Sequence, residues 1–173
     1  MSWQRACRTD MRVFGACQAL RRRSLATAQY AHGKTGLDGI ALPAPSRPLQ
    51  QMHAVDFLID TLRAEPSGSV TLCPLGPLTN IATAFERAPD IVDRVAEIVL
   101  MGGAYFEVGN VTPAAEFNIY VDPEAAAIVF GVGAPITVMP LDVTHKVLTT
   151  QPRIDAFRAL GTRVGEVVAS WTD

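Results

Sequence analysis

Three polar side chains close together in the sequence have the chemistry needed to bind a sugar. Asn110, Glu116 and Asn118 lie within nine residues. Two amides and a carboxylate together can donate to and accept from neighbouring hydroxyls. They follow an apolar run at residues 97–101, and open α/β sheets bind ligands at the carboxyl ends of their strands. A polar surface loop with an Asx turn explains the same residues, so spacing alone leaves both interpretations open.

The elements that must position these side chains alternate between strands and helices. Apolar runs of the kind found in buried strands predict strands at residues 13–16, 69–75, 97–101 and 135–141. Helical spacing and capping residues predict helices at residues 51–63, from Thr79 or Asn80 to about 88, at 91–95, from an Asp122 N-cap to about 130, and at 151–160 and 162–171. This alternation predicts an α/β fold with a mostly parallel, Rossmann-like sheet and helices on both faces.

Four motifs occur in an order that resembles one known family. They are HGKTGLDG at residues 32–39, GPLTN at 76–80, LMGG at 100–103 and GNVTPAAEFNIYVDPEAA at 109–126. Together they are similar to the inosine–uridine-preferring nucleoside hydrolases. The similarity covers residues 13–173, which we interpret as a partial nucleoside hydrolase domain, and residues 1–12 form an unmatched N-terminal segment.

The resemblance implies hydrolysis of the N-glycosidic bond of a ribonucleoside to ribose and free base. Asn110, Glu116 and Asn118 would bind ribose hydroxyls, and Glu116 would also stabilise positive charge on the sugar. Met101 would line the sugar pocket, although a core methionine is the commoner case. His32 would lie near the nucleobase, although a histidine among glycines is more often a loop residue. The complete protein is expected to be a homo-oligomer, a dimer or a tetramer.

The resemblance also implies a calcium cofactor, to which Leu75 would offer its main-chain carbonyl. The family's aspartate-rich motif, which supplies most ligands and the general base, has no counterpart here, and Asp10 is no substitute. The family's later histidine–aspartate pair would fall beyond Asp173. Calcium usually takes six to eight oxygen ligands, roughly. We therefore expect this chain alone to be a fragment that binds calcium poorly, lacks turnover, and exposes apolar faces that favour association.

Several other polar residues have structural explanations. Thr79 and Asn80 are accounted for as helix-capping residues. His53 and His145 have no sequence partner that suggests a site. Asp142 follows a predicted strand end, where α/β sites collect, but the resemblance gives it no metal role.

The composition is that of a soluble globular protein. Of 173 residues, 49% are hydrophobic and 18% are charged, with a net charge of −2. The charge gives no argument for nucleic acid, and no run approaches the roughly 18 apolar residues that a membrane span needs. Three cysteines at Cys7, Cys17 and Cys73 are an odd number for a disulfide framework. A cytoplasmic location is the expectation.

The N-terminal charge leaves alternatives open. Residues 1–30 hold six arginines and one acidic residue, Asp10. Such a segment is typical of a transit peptide or of an anion-binding arm. Residues 13–17 resemble the family strand that precedes its HG motif, and we prefer the interpretation that this segment belongs to the family domain. At the level of function, the alternative to a hydrolase is a non-catalytic relative or a nucleoside- or ribose-binding module. A dinucleotide-binding module is disfavoured because no G-x-G-x-x-G follows a strand.

Overall fold

A small parallel sheet begins the part of the chain that can be described. The computed structural model describes residues 12–17, 29, 33 and 48–172. Strand β1 (Phe14–Gly15) pairs in parallel with strand β2 (Gln50–His53). The amide of Gln50 also donates to the Val13 carbonyl at 2.8 Å. The strand predicted at 13–16 is present, and it has a parallel partner that the sequence analysis did not predict.

A second parallel sheet forms the centre of the fold. Its strands are β3 (Val70–Leu72), β4 (Val95–Met101) and β5 (Ile136–Met139), in the order β3-β4-β5. Both pairings are parallel. These are the three central strands predicted from the apolar runs, so the mostly parallel α/β fold is confirmed.

Helices follow the strands in the order expected for βα units. They are α1 (Ala54–Ala64), α2 (Thr79–Arg87), a 3-10 helix (Pro89–Arg94), α3 (Phe117–Val121), α4 (Pro123–Gly131), α5 (Leu141–Thr144), α6 (Gln151–Ala159) and α7 (Arg163–Thr172). Among the residues that the structure describes, none of these helices has the length and apolar character needed to cross a membrane.

The hydrophobic core lies between the central sheet and the helices α1, α2 and α4. Apolar side chains spaced along one side of each helix are buried there, since removing apolar area from water drives this packing. The core includes Val55, Ile59 and Leu62 from α1, Ile81, Ala82 and Phe85 from α2, Leu72, Ile98 and Leu100 from the strands, and Ala125, Ala126 and Val129 from α4.

Three local predictions were wrong. Residues 51–53 belong to strand β2, and the helix begins at Ala54 with His53 as its N-cap, whose Nδ1 accepts from the Val55 amide at 3.2 Å. Residues 117–121 form helix α3, where no helix was predicted. Helix α2 has no side-chain cap, because its N-cap is Leu78; the Thr79 and Asn80 side chains bind distant elements instead.

Candidate functional site at the carboxyl edge of the central sheet

The carboxyl ends of the three central strands are joined by backbone hydrogen bonds. The Met101 amide donates to the Pro74 carbonyl at 3.0 Å, just beyond β3. The Gly102 amide donates to Met139 at 3.3 Å, and the Leu141 amide donates to Gly103 at 3.0 Å. The residues after β4 are therefore held on both sides, at the edge where α/β sheets bind ligands.

A tight turn presents Asn110. The Gly109 amide donates to Pro113 at 3.1 Å, and the Val111 amide donates to Ala115 at 3.1 Å. Any side chain at Gly109 would collide with the backbone of Thr112 and Ala115, which explains the glycine. The turn delivers the Asn110 Oδ1 to the first amide of α3, where it accepts from Phe117 N at 2.8 Å.

Glu116 is a buried carboxylate that connects α3 to the end of β4. Its side chain is 2% exposed. As the N-cap of α3, its Oε2 accepts from the Ile119 amide at 3.3 Å, and the same oxygen accepts from Gly103 N at 3.0 Å. Gly103 has φ of 79°, a conformation that glycine adopts without the strain of a side chain.

Asn118 binds the end of β4 from the first turn of α3. Its Nδ2 donates to the Met101 carbonyl at 3.1 Å and lies 3.2 Å from the Met101 sulfur. Because a carbonyl oxygen only accepts, this contact sets the orientation of the Asn118 amide. Two of the three candidate ribose-binding side chains thus meet at residues 101–103. Met101 lies beside them, and its role as a pocket wall stays a prediction.

Each candidate side chain uses one polar atom for these internal contacts and keeps the other unpaired. Glu116 Oε1, Asn118 Oδ1 and Asn110 Nδ2 form no hydrogen bond with any residue in the described part of the chain. The first two atoms accept and the third donates. The side chains are therefore already oriented by the fold while retaining groups that match the hydroxyls of a sugar.

A cleft opens beside Glu116. It measures about 450 Å³ and is lined by Glu116, the backbone after β4 and neighbouring apolar side chains, namely Gly103, Ala104, Ala114, Ala115, Ile119, Tyr120 and Pro123. Small-molecule sites typically occupy about 300–1,000 Å³. Asn110 and Asn118 do not line this cleft, so one pocket shared by all three side chains stays a prediction.

The other predicted site residues have different outcomes. Leu75 is 80% exposed. The carbonyl that accepts a hydrogen bond from the Met101 amide is that of the preceding residue, Pro74. The role of the Leu75 carbonyl stays a prediction. His32 lies outside the described residues.

The donor set supplied by the described residues does not fit a calcium ion. Within residues 12–17, 29, 33 and 48–172 there is no group of three or more histidine, cysteine, aspartate or glutamate side chains arranged to hold a metal. Calcium takes roughly six to eight oxygen ligands. The Glu116 carboxylate already spends one oxygen on two backbone amides.

Asp142 has a role that sequence analysis missed. Its carboxylate accepts from the amides of Tyr105, Phe106 and Glu107 at 2.9, 2.8 and 3.2 Å. The hydrogen bond from Tyr105 is the main cause of a lowered Asp142 pKa, helped by those from Phe106 and Glu107 and opposed by desolvation. Its position after a strand end was visible in the sequence, but the partners lie more than thirty residues away.

Fold and site together define a class of protein. A parallel α/β domain with amide and carboxylate groups at the carboxyl edge of its sheet has the arrangement at which open α/β folds place small-molecule ligands. The family model for "inosine-uridine preferring nucleoside hydrolase" matches residues 2–173. The chain therefore belongs to the inosine-uridine preferring nucleoside hydrolase family, and the family resemblance read from its motifs is confirmed.

Individual relatives agree with this assignment. The chain is 51% identical to an uncharacterized protein of Schizosaccharomyces pombe, over 96% of this chain and 54% of that protein. It is 46% identical to the pyrimidine-specific ribonucleoside hydrolase RihA of Salmonella arizonae, over 96% of this chain and 53% of the relative. The chain spans about half the length of the curated relatives it matches.

Solved structures show the same fold. A purine-preferring ribonucleoside hydrolase from Gardnerella vaginalis superposes with a TM-score of 0.88 at 37% identity, covering 94% of this chain and 52% of that one. A plant nucleoside hydrolase gives a TM-score of 0.86 at 35% identity, covering 94% and 51%.

Proposed function

We propose that the complete protein hydrolyses the N-glycosidic bond of ribonucleosides, giving ribose and a free nucleobase; this chain spans about half the length of its relatives. The observation that carries this proposal is the set of oriented but unpaired polar atoms on Asn110, Glu116 and Asn118. Family membership supports it. Relatives are named for pyrimidine and for purine substrates, so the proposal covers ribonucleosides as a class.

In this proposal the three side chains divide the work of holding the sugar. Glu116 Oε1 and Asn118 Oδ1 accept from ribose hydroxyls, and Asn110 Nδ2 donates to a hydroxyl oxygen. Cleavage of a glycosidic bond develops positive charge on the sugar ring. The Glu116 carboxylate, buried beside the cleft, stabilises that charge because the attraction is stronger where water is excluded.

A metal cofactor is compatible with the family, and we propose calcium for the complete protein with the Leu75 carbonyl as one ligand. The described residues do not supply a fitting donor set. The roles that we propose for the described residues are sugar binding and charge stabilisation only. A homo-oligomeric state and a cytoplasmic location likewise stay predictions, the second resting on the composition and the odd cysteine count.

A non-catalytic, ribose- or nucleoside-binding role is the second candidate function. It is favoured by one observation: Glu116, the carboxylate beside the cleft, is already held by the Gly103 and Ile119 amides. Such a group suits binding better than removal of a proton from water. Binding and turnover must therefore be measured separately.

Binding of uridine, inosine and ribose to the purified chain tests the sugar site, with calorimetry as the measurement. Glu116→Gln is the sharpest variant, because glutamine keeps an oxygen for the Gly103 and Ile119 amides and places a donor where Oε1 accepts. A lost hydrogen bond to a charged group weakens binding by about tenfold or more. Glu107→Gln, an exposed position in the same segment, is the matched control and should bind as the wild type does.

Two results would count against this proposal. Equal affinity of Glu116→Gln and wild type would remove Glu116 from the sugar site, and no binding of any of the three ligands would remove the site itself. For turnover, we expect no ribose release from this chain at millimolar calcium. Release that Glu116→Ala abolishes would show that the chain contains a general base that we have not recognised.

A further inference from the structure

A buried hydrogen bond joins two elements beside the candidate sugar site. The Thr79 hydroxyl donates to Asp122 Oδ2 at 2.6 Å. Thr79 is 7% exposed and Asp122 is fully buried. Short hydrogen bonds to a carboxylate are among the stronger ones in proteins. Since α2 has no side-chain cap, the Thr79 hydroxyl acts between elements and not within its own helix.

Thr79 and Asp122 each lie close in sequence to a different part of the candidate site. Thr79 begins α2, four residues after Leu75, whose carbonyl is the proposed metal ligand. Asp122 directly follows α3, four residues after Asn118. Asp122 also caps α4, because its Oδ1 accepts from the Ala125 amide at 3.1 Å. One carboxylate therefore connects the start of α2, the end of α3 and the start of α4.

The location of this carboxylate has an energetic cost that its contacts must offset. A buried carboxylate is unfavourable unless it is hydrogen-bonded. An N-cap residue can cap a helix while it is in contact with solvent. The capping of α4 by Asp122 therefore does not require that Asp122 be fully buried. Burial places Asp122 Oδ2 within hydrogen-bonding distance of Thr79, at the start of α2.

We propose that Thr79 and Asp122 form a positioning pair that sets the separation between the residue 75–78 segment and the sugar-binding side chains on α3. The inference deepens the proposed function and rests on it. Thr79 and Asp122 touch no substrate in this proposal. They act through the backbone of the two segments that carry Leu75 and Asn118.

Hydrogen exchange measured by mass spectrometry tests the pair without requiring activity. In Thr79→Val, which replaces the hydroxyl by a methyl group, peptides covering residues 79–84 and 116–121 should exchange about tenfold faster, given the size of a hydrogen bond to a charged group. The first peptide reports on the residue 75–78 segment, because its Ala82 amide donates to the Leu78 carbonyl at 2.9 Å. Peptides from α1 should be unchanged. Thr79→Ser retains the hydroxyl and should restore the wild-type rates.

Thr83→Val is the matched control. It removes another threonine hydroxyl from the same helix, one that bonds the Thr79 carbonyl at 2.7 Å, and should leave both peptides at wild-type rates. Uniformly faster exchange in Thr79→Val, including α1, would show a loss of global stability only and would overturn the proposal. Unchanged exchange would overturn it as well.

Uridine affinity, measured on the same variants, separates this inference from the proposed function. We expect Thr79→Val to bind uridine about tenfold more weakly and Thr79→Ser to bind as wild type. Faster exchange with unchanged affinity would mean that the pair orders these segments without positioning the ligand groups, and the proposal would fail. If the wild-type chain binds no nucleoside, the proposed sugar site fails, while the exchange rates still decide whether the pair couples the two segments.

Discussion

Single residues at this site serve the fold and the ligand with different atoms. Asn110, Glu116 and Asn118 each use one polar atom to bind the backbone and keep the other unpaired among the described residues. Side chains that are oriented before the ligand arrives lose less freedom on binding. It follows that alanine substitutions remove both functions at once, whereas Glu116→Gln separates them.

The Asp142 carboxylate makes a pH-dependent prediction. Amide hydrogen bonds from Tyr105, Phe106 and Glu107 lower its pKa in the folded state. Its contribution to stability is therefore complete above the ordinary aspartate pKa of about 3.9, and it is lost as pH falls through the lowered value. A carbon-13 titration of this carboxyl group should give a midpoint below the ordinary value, with the three amide resonances following it.

Asp142→Asn provides the control for this titration. The asparagine oxygen still accepts a hydrogen bond but does not titrate. The amide resonances of Tyr105 and Phe106, whose own side chains do not titrate in acid, should therefore lose the midpoint that they share with Asp142. A midpoint for Asp142 at or above the ordinary aspartate value would contradict the assignment of these three contacts.

Side-chain hydrogen bonds could be predicted from the sequence only where donor and acceptor lie close together along the chain. The Asp122 cap of α4 was predicted correctly, since the cap and the Ala125 amide are three residues apart and Pro123 marks the start of the helix. The Thr79 and Asn80 contacts were missed, because their partners lie 43 and 63 residues away. Capping rules describe neighbours in sequence, and these side chains bind neighbours in space.

At the scale of elements, helix α3 shows how a short helix is stabilised by its surroundings. Five residues are too few for a stable isolated helix. The Asn110 side chain accepts a hydrogen bond from the first amide of α3, and the Glu116 side chain accepts one from the Ile119 amide. The Asn118 side chain donates to the Met101 carbonyl. No helix was predicted here from the sequence, because helical periodicity cannot develop over five residues, while the longer apolar strand beside it was predicted correctly.

The attachment of strand β1 gives an element-scale prediction. The Cys17 amide, just after β1, donates to Asn80 Oδ1 at 2.9 Å. In a background carrying Cys7→Ser and Cys73→Ser, Asn80→Ala should increase thiol labelling of Cys17 by about fivefold, the effect of one net hydrogen bond. Loss of this acceptor lets the end of β1 separate from α2 more often.

Asn80→Asp is the matched control for that experiment. Aspartate keeps an oxygen acceptor for the Cys17 amide, so labelling should be no faster than in the wild type. Equal labelling rates in Asn80→Ala and the wild type would show that β1 is held by its pairing with β2 and not by Asn80.

At the scale of the whole molecule, apolar side chains remain exposed on two segments that lie together. Tyr105, Phe106 and Val108 are 69%, 99% and 67% exposed, and Val147 and Leu148 are 65% and 63% exposed. Glu107 Oε2 lies 3.5 Å from His145 Nδ1, so the two segments approach each other at this contact. Because Asp142 holds the backbone of residues 105–107, these side chains are presented by an ordered segment.

Exposed apolar surface of this kind favours association, so we predict that the isolated chain forms dimers or larger species. Light scattering after size exclusion should give a concentration-dependent mass above 18.6 kDa. Phe106→Ser combined with Leu148→Ser should lower that mass, because it removes two of the exposed side chains. Leu160→Ser, at a position 61% exposed outside these segments, should not. A monomeric mass at every concentration, with a single cooperative unfolding transition, would contradict the prediction.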